Sequence, residues 1–154
     1  MAKKEESNIK IISQNRKARQ RFAILEIFEA GISLFGHEVK SLRRGSANIE
    51  EGFVRIDGNQ IYLMNVYIPP YPQYTLGEYE PTRTRKLLMH RKEIDHLNSE
   101  LQLKGCTIVP TELYFKRGIA KVQIGLAKGK KTEDRREEIK KRETDREIRR
   151  HFKA

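Results

Sequence analysis

Apolar residues are concentrated in the middle of this 154-residue chain, and that distribution limits what the chain can fold into. Residues 22–127 contain nearly all the aromatic and β-branched side chains, whereas 19 of the 27 positions in residues 128–154 are charged. So highly charged a segment cannot bury enough apolar surface to offset the entropy of ordering it. We therefore predict one domain at 22–127, preceded by a basic polar segment at 1–21 and followed by a tail at 128–154 that is mobile in the free protein.

Runs of β-forming residues divide the middle segment into short strands. The clearest pair lies at 53–56 and 60–64, because Asp57-Gly58-Asn59 between them supplies the positive φ angle that a tight hairpin turn needs. In residues 119–126 apolar and polar side chains alternate, which is typical of a strand with one buried face. Other strands are predicted at 22–28, 30–36, 107–109 and 113–115.

Two short helices interrupt these strands. The first, at 38–44, ends before Gly45, a residue suited to a helix C-terminus. The second, at 91–101, has apolar side chains spaced to share one face, namely Ile94, Leu97 and Leu101. Between the helices, the prolines of 68–81 indicate a long loop. Many short strands with two or three short helices predict a mainly β fold, an antiparallel barrel of the oligonucleotide-binding (OB) type.

The chain is strongly basic, since 32 Lys and Arg against 21 Asp and Glu give a net charge of +11. Such an excess favours a polyanionic partner, with nucleic acid before an acidic membrane. The apolar runs are too short to span a bilayer, and the tail has a poor apolar face, so we predict no membrane partner. A single cysteine and the lack of an apolar signal sequence at the start indicate a cytoplasmic protein.

No residue pattern in the sequence is typical of catalysis or of a bound cofactor. The four histidines lie at no ligand-like spacing to one another or to Cys106, so we expect no metal and ordinary surface histidines. Cys106 lies in a β-rich run and is expected to be a small core residue. Carboxylates such as Glu26, Glu29 and Glu38 are present, but their spacing does not show which of them converge. An enzyme is therefore the least favoured class, and no catalytic residue is predicted.

Basic residues form three clusters on the predicted domain. They lie at 15–21, at 82–86 and, on the first helix, at Lys40, Arg43 and Arg44. Guanidinium groups bind phosphates with paired hydrogen bonds, and tyrosines such as Tyr71 and Tyr74 can stack on unpaired bases. One cluster alone is typical of a solvated surface, but three on one small domain favour nucleic acid. Composition and pattern thus predict a barrel that binds RNA or DNA.

Four blocks of sequence occur in a fixed order between Asn15 and Arg150. They are Glu29-Ala30-Gly31-Ile32 with Gly36-His37-Glu38-Val39-Lys40-Ser41-Leu42-Arg43, then 81–88, then 109–110 with 113–115, and last 129–131 with 134–136 and 139–142. In composition, order and spacing these blocks closely resemble the small protein B family of bacteria, the SsrA-binding proteins.

The resemblance implies an OB-like barrel and a role in trans-translation. Proteins of this family bind the tRNA-like domain of transfer-messenger RNA (tmRNA) and deliver it to the A site of stalled ribosomes. There the tail enters the decoding centre and the empty messenger channel, and the nascent chain is tagged for degradation. The expected partners are therefore tmRNA and the stalled ribosome with its 16S rRNA, and the protein is expected to be a monomer. The alternative is a generic single-stranded nucleic-acid-binding barrel or a ribosomal protein.

The resemblance assigns contacts with the RNA to nine residues. Asn15 matches an asparagine before the basic stretch and is expected to hydrogen-bond to the RNA. Glu29 matches a glutamate whose carboxylate accepts from base amino groups or a 2′-hydroxyl, and the alternative is that it orients a neighbouring arginine. Leu88 matches a leucine of the RNA-binding face, and the alternative is core packing. Phosphate contacts are expected from Lys17, Lys40, Arg43, Arg83, Arg85 and Lys86.

The tail has a separate role in the resemblance, at the ribosomal decoding centre after RNA binding. Pairs of opposite charge at i and i+4, such as Glu137 with Lys141, make the tail capable of forming a helix, but they are too weak to hold it alone. We expect it to be disordered when free and helical on the ribosome. The tail residues assigned to the decoding centre are Lys130, Lys131, Asp134, Arg135, Arg136, Ile139, Lys140 and Arg142.

Truncation of the chain before Lys130 is expected to leave RNA affinity unchanged and to abolish tagging. The reason is that the resemblance separates RNA binding by the barrel from the later step at the decoding centre. Titration with the tRNA-like domain measures the first effect, and a tagging assay on stalled ribosomes measures the second. A large loss of affinity in the truncated chain contradicts this division.

Overall fold

A computed structural model of the chain describes residues 8–74, 77–102, 105–129, 142–143 and 146. The strands are β1 (Ile9–Gln14), β2 (Phe22–Ile32), β3 (Phe53–Asp57), β4 (Gln60–Met64), β5 (Arg85–Leu88), β6 (Cys106–Lys116) and β7 (Ile119–Gly129). The helices with assigned bounds are α1 (Arg16–Arg21), α2 (Gly36–Arg43) and α3 (Arg91–Leu101). Within the described part of the chain, no helix has the length and apolar character needed to cross a membrane.

The seven strands form one antiparallel sheet in the order β1-β6-β7-β2-β5-β4-β3. The sheet is curled, as the packing of β3 at one end of this order against β6 near the other end shows. The two edge strands β1 and β3 are not neighbours, so the barrel is open. The prediction of a mainly β, OB-like fold with small helices is confirmed.

The hairpin of β3 and β4 follows the local rule that predicts it. Asp57 pairs with Gln60 across the turn, and Gly58 takes a φ of +61°, a conformation that favours glycine. Leu63 and Val54 face each other on the buried side of the hairpin. In β7 the predicted alternation is also present, since every second residue from Ala120 to Leu126 is buried.

Two predicted strand pairs are in fact single long strands. The sequence predicts two separate runs at 22–28 and 30–36, the second bounded by glycines, but β2 continues through Gly31 to Ile32. A Cβ at Gly31 would lie 3.2 Å from the Cβ of Leu88 on β5, so the glycine allows close packing of neighbouring strands. Likewise β6 runs through Pro110, which is accommodated at a bulge.

The ordered domain begins before residue 22, where the sequence analysis placed its boundary. β1 pairs with the second half of β6, from Glu112 to Lys116, and α1 follows β1 almost directly. The sequence does not predict β1, because it lacks the apolar run of a central strand. It is an edge strand, and its side chains are mostly exposed. Asn15 forms the N-cap of α1 by accepting a hydrogen bond from the Ala18 backbone, 3.0 Å away.

One hydrophobic core extends through β2 to β7 and one face of each of the helices α2 and α3. The predicted stripe on α3 is confirmed, since Ile94 and Leu97 are buried, and Leu42 of α2 is fully buried. Cys106 is half-buried against this core, as expected for a small core residue. The two helices are thereby fixed against the sheet, and the loop from β4 to β5 packs beside α2.

Candidate nucleic-acid interface

A buried carboxylate, that of Glu38 in the first turn of α2, organises the surface beside the β4–β5 loop. Its side chain is fully buried and forms ion pairs with two guanidinium groups. Arg85 approaches through Nη2, 2.7 Å from Oε2, and Nε donates to the same oxygen at 2.8 Å. Arg83 donates to both carboxylate oxygens, with Nε 3.2 Å from Oε2. The Tyr79 hydroxyl donates to Oε2 at 2.9 Å.

The ionised form of Glu38 is favoured by this arrangement. Burial alone raises the pKa of the carboxyl, but hydrogen bonds from Arg83 and the Phe35 amide, together with the charge of Arg85, outweigh burial and lower the pKa from its usual 4.5. Burial and the adjacent Glu38 raise the pKa of Tyr79 to about 12, so its hydroxyl remains a hydrogen-bond donor. The cluster therefore holds one negative and two positive charges at neutral pH.

Arg85 is a structural residue within this cluster. Its side chain is fully buried, and besides Glu38 it donates to the backbone carbonyls of Val66 at 2.7 Å and Pro81 at 2.9 Å. These bonds hold the start and the end of the β4–β5 loop against α2. In this structure the Arg85 guanidinium has no exposed surface to offer to a phosphate, and the phosphate contact expected of it stays a prediction.

Aromatic rings form a stack on the outer side of this charge cluster. We call Phe35, His37, Tyr74 and Tyr79 the aromatic cluster. The His37 ring stacks on Tyr74 with centroids 3.9 Å apart and lies 5.6 Å from Phe35, while Tyr79 meets it edge-on at 4.7 Å. The Arg83 guanidinium lies over the Phe35 ring, 4.0 Å from its centroid. His37, expected to be an ordinary surface residue, is thus part of a built stack.

Cations lie along the next turns of α2, around a second tyrosine of the loop. The Lys40 ammonium is 5.7 Å from the centroid of Tyr71, and the Arg44 guanidinium is 5.3 Å from it. The Ser41 hydroxyl donates to the Pro69 carbonyl at 2.6 Å and fixes the loop to the helix. Tyr71, expected to stack on an unpaired base, thus lies beside two residues of the basic cluster on α2.

A second surface is the outer face of the sheet. In antiparallel pairs, opposite residues share a face, and the register places Tyr114, Lys121, Gly31 and Leu88 in one row across four strands. Glu29 lies two residues from Gly31 and hence on the same face. An open groove of about 400 Å³ lies here, lined by residues that include Glu29, Leu88 and Lys121. Leu88 is 56% exposed.

The carboxylate of Glu29 is held by a tyrosine and a lysine. The Tyr114 hydroxyl donates to Oε2 at 2.5 Å, and the Lys116 ammonium is 3.5 Å from the same oxygen. Partial burial raises the pKa of Glu29, but these two neighbours outweigh burial and lower it, whereas burial and Glu29 raise the pKa of Tyr114. Glu29 is therefore an ionised, oriented and exposed acceptor. In the part of the chain that the structure describes, the side-chain partners given for Glu29 are a tyrosine and a lysine rather than the arginine of the predicted alternative.

Comparisons with known proteins identify the family. The model of the family described as "SmpB protein" matches residues 12–154. An SsrA-binding protein of Ligilactobacillus salivarius is 51% identical over 142 residues, 92% of each chain, and one of Enterococcus faecalis is 49% identical over 144 residues, 94% of each chain. The chain belongs to the SmpB family.

A solved structure supports the same conclusion for the fold. It is described as "tmRNA-SmpB: a journey to the center of the bacterial ribosome" and matches with a TM-score of 0.65 at 46% identity. The match covers 78% of this chain and 85% of that chain. The family resemblance drawn from four sequence blocks is therefore confirmed, together with the OB-like architecture that it implied.

Several residues that the SmpB resemblance assigns to RNA are exposed and grouped on the two surfaces. Glu29, Lys86 and Leu88 lie on the outer face of the sheet, while Lys40 and Arg43 lie on α2. For Leu88, the alternative of core packing is wrong because more than half of the side chain is exposed. The RNA contacts themselves stay predictions.

Asn15 occupies a different environment from the one expected. It is 2% exposed, and its amide nitrogen donates to the carbonyls of Pro110 at 2.9 Å and Ile49 at 3.3 Å. Its oxygen caps α1, so every polar atom of the side chain is already used within the protein. In this structure Asn15 joins α1, β6 and the segment before β3, and the RNA hydrogen bond expected of it stays a prediction.

The phosphate contacts predicted for Arg83 and Lys17 would compete with ion pairs that these residues form within the chain. Arg83 is bonded to Glu38, and its side chain is 23% exposed at the edge of the aromatic cluster. The Lys17 ammonium lies 3.5 Å from Glu50 and 3.7 Å from Glu51, at the end of the barrel that holds α1. We therefore expect Lys17 to contribute less to RNA binding than Lys40 or Lys86.

Most of the tail lies outside the described residues. This holds for seven of the predicted decoding-centre residues, namely Lys130, Lys131, Asp134, Arg135, Arg136, Ile139 and Lys140. Arg142 is described, and its proposed role on the ribosome stays a prediction.

The residues that sequence reasoning missed are those whose partners are distant in the chain. The sequence places Glu38 in one of the four family blocks and among the carboxylates but does not show its partners, and it assigns no role to Tyr79, Tyr114 or Phe35. The available signal was the short spacing of tyrosines in the proline-rich loop, of which Tyr71 and Tyr74 had been taken as stacking candidates. Nothing local indicated that Glu38 lies between Arg83 and Arg85.

Substitution Glu38→Gln is expected to lower the free energy of unfolding at pH 7 by about 3–5 kcal/mol, because it leaves the buried Arg85 without a counter-charge. Folding lowers the pKa of Glu38 below its usual 4.5, so the ionised carboxylate contributes its full stabilisation of the folded state at pH values above about 4.5. That contribution to the free energy of unfolding is lost as the pH falls through the folded-state pKa. Urea unfolding at pH 7 and at acidic pH measures both effects, and the difference between variant and wild type should shrink in acid.

The matched control is Glu51→Gln, which removes a carboxylate from an exposed pair with Lys17. Its cost should stay under about 1 kcal/mol at both pH values. Equal costs for the two variants at pH 7 would show that the Glu38 cluster contributes nothing special to stability.

Proposed function

We propose that this chain binds the tRNA-like domain of tmRNA and delivers it to the A site of stalled ribosomes, so that the nascent chain is tagged for degradation. Membership in the SmpB family and the relatives named SsrA-binding protein support this role. The structural observation that carries it is the pair of exposed surfaces, one formed on the sheet by Glu29 and Leu88 and one on α2 around Lys40. The proposed role is recognition of RNA rather than catalysis.

The chemistry of this surface suits a folded RNA with unpaired bases. Lys86, Lys40 and Arg43 supply charges for phosphates along its edge. Glu29 accepts hydrogen bonds from base amino groups or 2′-hydroxyls, and these groups distinguish a particular RNA where phosphates do not. Leu88 offers an apolar contact beside it. A surface that combines these elements distinguishes between RNAs by their bases and 2′-hydroxyls as well as by their negative charge.

The tail completes the proposed mechanism on the ribosome. Its basic and acidic residues from Lys130 to Arg142 are proposed to order in the decoding centre and the empty messenger channel, which leaves the barrel surfaces free for tmRNA. A protein that acts on ribosomes is expected to be located in the cytoplasm. A single copy bound to one RNA suffices for this arrangement, in line with the expected monomer.

A generic single-stranded nucleic-acid-binding barrel is the second candidate. The basic residues of α2 and β5 alone would suit it, since phosphates are common to all RNA. The ionised and oriented Glu29 argues for the first candidate, because a carboxylate on the interface weakens binding to arbitrary phosphates and adds affinity only where donors face it.

The substitution Glu29→Gln is expected to lower affinity for the isolated tRNA-like domain about tenfold, the effect of losing one hydrogen bond to a charged acceptor. Affinity for an ordinary tRNA should change little, so that the preference between the two RNAs falls. Titration of both RNAs at moderate salt with excess competitor measures the two constants.

The matched control is Glu26→Gln on the same strand. Glu26 lies on the opposite side of the sheet from Glu29 and contacts His96 of α3, with 2.9 Å between Oε2 and Nε2. This variant should bind the tRNA-like domain as wild type does. Equal binding of the wild-type chain to both RNAs would instead favour the generic barrel, and equal losses in both variants would remove Glu29 from the interface.

A further inference from the structure

Phe35 is a large aromatic residue that is exposed and nevertheless rigidly held. Its side chain is 53% exposed at the N-cap of α2. Its backbone amide donates to Glu38 Oε1 at 2.8 Å, and its ring is covered by the Arg83 guanidinium, which Glu38 itself fixes. His37 adds a second neighbour at 5.6 Å. An exposed ring that is already immobilised loses little conformational entropy when a ligand stacks on it.

The surroundings of Phe35 favour an anionic ligand. The only carboxylate in α2 is Glu38, which is buried and paired with Arg83 and Arg85. The exposed cations Lys40 and Arg44 follow along the helix, around Tyr71. Lys10 of β1 joins them, since its ammonium donates to the Arg43 carbonyl at 3.3 Å. An exposed ring for a base at the start of a helix that carries cations for phosphates resembles the pattern of single-stranded nucleic-acid sites.

The backbone beside Phe35 is bonded to the strand that carries part of the surface proposed for tmRNA. Ser33, two residues before Phe35, donates its backbone N–H to the Lys86 carbonyl at 2.9 Å and accepts from Arg83 at 3.4 Å. Lys86 and Leu88 are alternate residues of β5 and lie on one face. An RNA that lies across Leu88 therefore passes directly to Phe35 and on to α2.

We propose that Phe35 is the stacking platform for one unpaired base of tmRNA, with Lys40, Arg43 and Arg44 binding the adjoining phosphates. This inference rests on the proposed function, because it names a further contact of the same RNA. The aromatic cluster and the Glu38 ion pairs hold the platform in position, and the base itself stacks on the solvent-exposed surface of the ring.

The test is Phe35→Ala, measured as affinity for the isolated tRNA-like domain over a range of salt concentrations. Affinity should fall about tenfold with no change in the salt dependence, because stacking releases no counterions. Phe35→Trp should bind at least as tightly as wild type. Phe35→Leu keeps an apolar contact with Arg83 but no aromatic face, and it should resemble the alanine variant. A thermal unfolding curve for each variant confirms that it is folded.

The matched control is Phe53→Ala on the edge strand β3, where a phenylalanine is 44% exposed. It should bind as wild type does. Wild-type affinity in Phe35→Ala, equal losses in Phe35→Ala and Phe53→Ala, or full affinity in Phe35→Leu would each overturn the platform. Unchanged affinity for the tRNA-like domain with a loss of tagging would assign Phe35 to ribosomal RNA and likewise overturn it.

The two proposals fail in distinguishable ways. If wild type shows no preference for the tRNA-like domain over ordinary tRNA, the proposed function fails whatever the Phe35 variants do. If that preference is present and Phe35→Trp and Phe35→Ala bind equally well, only the platform fails.

Discussion

The ion pairs of Glu38 with Arg83 and Arg85 are the interaction on which the candidate interface depends. One carboxylate, buried in the first turn of α2, is the shared acceptor for side chains from the loop and from β5. Burying these charges carries a desolvation cost that is offset only when the geometry satisfies all partners. Here Arg85 also donates hydrogen bonds to the carbonyls of Val66 and Pro81, so the buried cluster fixes both ends of the β4–β5 loop to the helix.

From this constraint follows the placement of the exposed residues. Arg83, fixed by Glu38, covers one part of the Phe35 ring and donates to the Ser33 carbonyl, which lies beside β5. The two surfaces, one on the sheet around Leu88 and one on α2 around Lys40, are thereby held at a fixed separation. A folded RNA has fixed spacing between its own phosphates and bases, so a rigid surface recognises it at little entropic cost.

Local rules predicted the parts of the fold that depend on neighbours in sequence. The turn at Gly58, the end of α2 before Gly45 and the apolar stripe of α3 follow from short spacings. The edge strand β1 and the continuity of β2 depend on pairing with distant strands, which spacing does not record.

The candidate site divides in the same way. The family resemblance assigned Leu88 and Glu29 to RNA binding, and the structure places both on an exposed face. It also named Asn15 and Arg85, which the structure buries at 2% and 0% exposure, each bonded to backbone carbonyls far along the chain. A motif marks a residue as important to the family, whereas the structure of the free chain shows whether its side chain is exposed or already bonded within the protein.

The most direct test of the proposed interface is the reactivity of individual lysines toward an amine-specific reagent, compared by mass spectrometry in the free chain and in its complex with the tRNA-like domain. The proposed interface requires that Lys86 and Lys40 become protected. Lys17 should change least, since α1 lies about 30 Å along β2 from the strand pair of Gly31 and Leu88. Protection of Lys17 with Lys86 and Lys40 still reactive would place the RNA at the other end of the barrel and contradict the account.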